Sequence, residues 1–90
     1  MNRIDRIRAA LEAALNPSQL QIGDDSELHA GHVGAGRGGH YRVEIIADAF
    51  RGKPPLARHR MVYAALADMM QSEIHALAIS AHTPEEAGRH

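Results

Sequence analysis

Ile74-His75-Ala76-Leu77-Ala78-Ile79 is the stretch that decides the fold. A short apolar run that follows a helical pattern reads as a strand, so it closes a strand-helix-strand crossover and lies parallel to the strand before the helix. His75 shares strand parity with Leu77 and Ile79. Taken alone, that position suits a hydrogen-bonded histidine at the rim of a core, a proton carrier or a metal ligand.

The crossover helix runs from Leu56 through Val62, Tyr63, Leu66, Met69 and Met70 to about Gln71, with Pro55 in its first turn. Before it, Phe50-Arg51-Gly52-Lys53-Pro54-Pro55 is a turn. The preceding strand spans His40 to Asp48, with Tyr41, Val43, Ile45 and Ala47 on one face and Arg42, Glu44, Ile46 and Asp48 on the other. A first strand from Ser18 to Asp24 pairs antiparallel with it across a glycine-rich loop at Asp25 to Gly39. At the amino end, Ile4, Ile7, Leu11 and Leu15 form the stripe of a helix capped by Asn2 and ended by Asn16-Pro17. Past the last strand, Thr83-Pro84-Glu85-Glu86 reads as a cap, a first-turn proline and two acids of a short helical turn.

The predicted order is α-β-β-α-β. It gives an α+β fold in one two-layer domain spanning residues 1–90, with a mixed three-stranded sheet. Both helices cover one sheet face, because Arg42, Glu44 and Asp48 must stay outside the core.

Ninety residues with 44% hydrophobic content suffice for one core and not two. Ten Lys and Arg against eleven Asp and Glu leave a net charge of −1, which lacks the broad basic field of a protein that lives on phosphate backbones. Three aromatic residues, Tyr41, Phe50 and Tyr63, offer no stacking platform for single strands. The amino end lacks the apolar core of a signal peptide, and no apolar run nears the roughly 20 residues that span a bilayer, so a cytoplasmic protein without membrane contact is expected. There is no cysteine, hence neither a disulfide nor a thiolate ligand; the ligand chemistry falls to seven histidines and to oxygen donors.

Several local patterns carry little. Gly34, Gly36 and Gly39 fit G-x-G-x-x-G but lead into a strand, whereas a dinucleotide fingerprint opens a helix. Gly36 to Gly39 fits the RNA-binding G-x-x-G but joins two strands instead of two helices. Ser26 lacks flanking nucleophile-elbow glycines, and a domain this small offers no deep pocket, so no enzyme is expected. His40 and His82 read as strand-end residues and His90 as part of a frayed terminus.

Six fragments in order carry a resemblance. They are Asp25-Ser26 followed by His29, His40-Tyr41-Arg42-Val43, Phe50-Arg51-Gly52, Arg58-His59-Arg60-Met61-Val62-Tyr63 with Leu66, Ile74-His75-Ala76-Leu77, and Thr83-Pro84. Together they resemble the BolA family from the first helix to the end of the chain. The resemblance implies a type II KH-like fold and a partner, a monothiol glutaredoxin, with which a [2Fe-2S] cluster is shared. It also implies the ligands: His75 at the carboxyl side and His29 in the loop, with His32 as the nearest substitute. Two histidines on one iron, with a glutaredoxin cysteine and glutathione on the other, would complete the set. Iron–sulfur trafficking or iron-homeostasis regulation is the function so implied. The loop departs from the family pattern, since Gly36-Arg37-Gly38-Gly39 runs straight into His40 without the usual polar pair.

The alternative is a DNA-binding transcriptional regulator. Arg51, Lys53, Arg58, His59 and Arg60 cluster at the start of the second helix, although such a cluster is commonly a solvated helix face and would bind DNA weakly in an otherwise acidic chain.

Overall fold

The computed structural model describes residues 2–25 and 39–88. Helix α1 spans Arg3–Leu15; the side chain of Asn2 caps it by accepting from the Asp5 N–H at 2.9 Å. Its stripe is the expected one, with Ile7 and Leu11 fully buried and Leu15 nearly so. The helix stops at Asn16, which adopts a left-handed φ of 47° ahead of Pro17. Asparagine is among the few residues that accept this conformation, and proline cannot continue the helix.

Strand β1 (Gln19–Asp24) pairs antiparallel with β2 (Gly39–Ile46), and β2 pairs in parallel with β3 (Ile74–His82), giving a mixed sheet in the order β1-β2-β3. The alternation along β2 puts Tyr41, Val43 and Ile45 in the core and leaves Arg42 and Glu44 exposed. Helices α1 and α2 (Pro55–Ala65) supply the opposing layer through Ile7, Leu11 and Val62.

Beyond shifts of one residue at strand ends, two features differ from the sequence expectation. β2 ends at Ile46, not Asp48; Ala47 sits fully buried with its N–H on the carbonyl of His82 at 3.0 Å, and Asp48–Phe50 forms a 3-10 turn. That turn carries Phe50 into the core, where it is completely buried, a gain that outweighs extending the strand. The second helix is also interrupted. Leu66, at φ −105° and ψ 15°, separates α2 from a short helix, α3 (Ala67–Met70), and this irregular backbone lets both Leu66 and Met69 reach the core.

The chain closes with α4 (Pro84–Ala87), in which the Glu86 N–H donates to the Thr83 hydroxyl at 3.2 Å and the Thr83 N–H donates to the Glu86 carboxylate at 3.0 Å. This reciprocal capping box satisfies two donors at the helix start. Among the described residues no helix is long and apolar enough to cross a membrane.

Candidate histidine site at the mouth of the sheet

The pairing of β2 with β3 contains one irregularity, and it falls at the residue of greatest interest. Gly39 pairs with Ile74, whereas His40 pairs with Ala76 and Tyr41 with Leu77, so His75 is an extra residue in β3. A bulge of this kind shifts side-chain parity by one. Ile74 consequently enters the core at 3% exposure, Leu77 and Ile79 continue that face, and His75 is turned out to solvent. The expectation from simple alternation, that His75 lies at the core rim beside Leu77 and Ile79, is corrected by this register shift.

Local anchors hold the bulge. The Gly39 N–H donates to the Glu73 carbonyl at 3.0 Å, tying the first residue of β2 to the residue before β3. The Glu73 carboxylate takes both terminal nitrogens of Arg6, one of them at 3.0 Å, which fastens helix α1 to the same point. Beneath it, Gly39 lies so close to the Tyr41 ring that a Cβ there would come within 2.5 Å of it.

The His75 imidazole makes no hydrogen bond among the described residues. Its ring stands beside that of His40, with centroids 5.1 Å apart and planes tilted by 56°. Local pattern marks His40 only as a strand end; the bulge, invisible in that pattern, is what brings the two rings together. His29 and His32, the loop ligands implied by the family resemblance, lie outside the described residues, as do most of the loop glycines. His82, on the last residue of β3, contacts Ser80 instead.

The basic cluster at the start of α2 is not one surface. Arg58 is buried to 9% exposure, and its guanidinium donates to the carbonyls of Lys53 at 2.7 Å and Ala81 at 3.1 Å and to both oxygens of Glu86 at 2.6 and 3.0 Å. Arg51 donates to Asp48 and Glu85, each at 2.8 Å. Lys53 and Arg60 are exposed, and neither makes an ion pair among the described residues; His59 is half-buried. Arg58 foremost, then the Thr83 N–H, holds the Glu86 carboxyl at about 2, well below the ordinary 4.5, and Arg51 lowers Glu85 in the same direction.

A small α+β domain with a three-stranded mixed sheet, helices on one face and an outward histidine at a bulge thus defines the class. Residues 11–86 match the family model described as BolA-like protein, and the chain belongs to the BolA-like family. It is 45% identical over 80 residues to BolA-like protein 1 of Bos taurus, covering 89% of this chain and 58% of that protein. It is 39% identical over 82 residues to the DNA-binding transcriptional regulator BolA of Escherichia coli K12, covering 91% of this chain and 76% of that protein. Among solved structures, the BolA domain of SufE1 from Arabidopsis thaliana superposes with a TM-score of 0.83 at 42% identity, covering 96% of this chain and 98% of that one. The chain therefore spans under two thirds of the bovine relative's length but nearly all of the solved plant domain.

Proposed function

We propose that this chain is a non-catalytic partner of a monothiol glutaredoxin, sharing a [2Fe-2S] cluster for iron–sulfur trafficking or iron-homeostasis regulation. The observation that carries this reading is His75: a bulge turns its imidazole to solvent in a chain with no cysteine. Exposure is poor placement for a packing residue and good placement for a ligand that a second protein must reach. Imidazole nitrogen is an accepted donor to one iron of a two-iron cluster when thiolates serve the other. This chain has no thiolate of its own, so the remaining ligands come from the partner and glutathione, with His29 or His32 as this chain's second donor.

Mixing the protein with cluster-loaded monothiol glutaredoxin and following visible absorption and circular dichroism tests the proposal. His75→Ala should abolish the spectral change. An intact change in that variant would show that His75 is not a ligand.

The name of the E. coli relative supplies the second reading, contact with DNA. The geometry supports it less, because Arg51 and Arg58 are engaged by carboxylates of this same chain, leaving Lys53 and Arg60 as the exposed cations of that cluster. Phosphate binding scales with the number of available cations, so the surviving patch supports only weak, salt-sensitive contact.

A further inference from the structure

We infer that His40 and His75 form a two-nitrogen site that the chain alone offers to a borderline divalent transition-metal ion such as Zn2+ or Cu2+. This site involves His40, whose position in the sequence marks it only as a strand end, and it needs no glutaredoxin. It therefore stands or falls separately from the cluster reading, with which it shares His75.

The pair satisfies three conditions, of distance, origin and chemistry. Two imidazoles bound to one ion at about 2.0–2.1 Å per nitrogen, at a near-tetrahedral angle, have ring centroids about 5 Å apart. The rings of His40 and His75 are 5.1 Å apart and tilted by 56°, a separation that matches this requirement. The pair is also built by the fold. His40 alternates with the core residue Tyr41, and the extra residue in β3 places His75 beside it on the open side of the sheet. Neutral imidazole is the preferred nitrogen donor for these ions, and water completes the coordination in an exposed site. Occupation of the pair by such an ion takes the His75 nitrogen away from any other metal, so the ion and a partner-held cluster compete for it.

The test uses the tag-free full chain without glutaredoxin. Zn2+ binding is measured by calorimetry in the wild type, in His40→Gln, in His75→Gln, and in a His29→Gln/His32→Gln double variant. Substoichiometric Cu2+ is added to the wild type while the imidazole C–H resonances are followed by NMR. The expected result is at least about tenfold weaker Zn2+ binding in each of the first two variants, a change within about twofold in the loop variant, and broadening first at His40 and His75. Unchanged affinity in His40→Gln, lost affinity in the loop variant, or broadening that begins at another histidine overturns the proposal. Should His40→Gln fail to fold by circular dichroism, the Cu2+ broadening of the wild type decides alone.

Discussion

Arg58 and Glu86 are joined by two parallel hydrogen bonds, of 2.6 and 3.0 Å, that clasp the first turn of α2 to the closing helical turn of the chain. Each partner is also engaged elsewhere, since Arg58 satisfies the carbonyls of Lys53 and Ala81, and Glu86 completes the capping box with Thr83. Removing Arg58 leaves several acceptors short of a donor at once. We expect Arg58→Met to lower stability by roughly 1–3 kcal/mol, read from the urea midpoint with an unchanged m-value. A midpoint equal to wild type would show that water replaces the guanidinium at no cost.

The same pair sets an acid limb. Glu86 sits at about 2 in the folded protein against an ordinary 4.5, so its contribution is complete above about 4.5 and is lost as pH falls toward 2. Thermal melts between pH 6 and pH 2 should show this decline, and Arg58→Met should make it shallower, because the folded value then moves back toward the ordinary one with the Thr83 N–H still holding it down. An equally steep acid limb in that variant would assign the decline to other carboxylates.

His75→Ala should change stability by no more than about 0.5 kcal/mol, since the residue is exposed and its ring bonds to nothing among the described residues. Equilibrium unfolding measures this directly. A loss above about 2 kcal/mol would return His75 to a structural role at the core, against the bulge geometry.

Gly39→Ala tests the floor of the site. The added methyl meets the ring of Tyr41, which is 5% exposed and has little room to retreat. Overpacking of this kind costs roughly 1–3 kcal/mol, and the shift should also appear as altered NMR signals of the His40 and His75 rings. Unperturbed imidazole signals would mean that the bulge is held without Gly39.

Lys53→Ala with Arg60→Ala is the clean probe of DNA contact, because both side chains are exposed and neither is tied into the fold among the described residues. If these cations touch phosphates, the slope of log affinity against log salt should fall by about two, measured by fluorescence anisotropy. An unchanged slope removes this helix start from any DNA surface. Arg58→Ala would serve poorly here, since it disturbs the closing turn.

Most of the architecture is legible in the sequence because it rests on local pattern. The α1 stripe, the Asn2 cap, the alternation of β2 and the Thr83 cap each depend on residues a few positions apart. The parallel placement of β3 follows from the crossover rule. The bulge is not legible, since it is a counting mismatch between Gly39–His40 and Ile74–Ala76 that only the paired strands reveal. Arg58 reads as surface charge for a similar reason: its partner Glu86 lies 28 residues along the chain, and a lone arginine in sequence looks solvated. Leu66 ends α2 without proline or glycine, so no local signal marks the break. For the candidate site, His75 stands out in the sequence, while its neighbour His40 emerges only from the register.

The sheet order has a consequence for the chain as it is synthesised. β2 is the central strand, and its second neighbour, β3, arrives only after the whole of α2 has been made. Until then the nascent domain carries an apolar β2 with one edge open, the kind of edge that invites pairing with another chain. Closing it needs a contact distant in sequence, which is slow to form. A chain truncated before Ile74 should therefore be protease-sensitive, and restoring the last strand should complete the domain in one cooperative step.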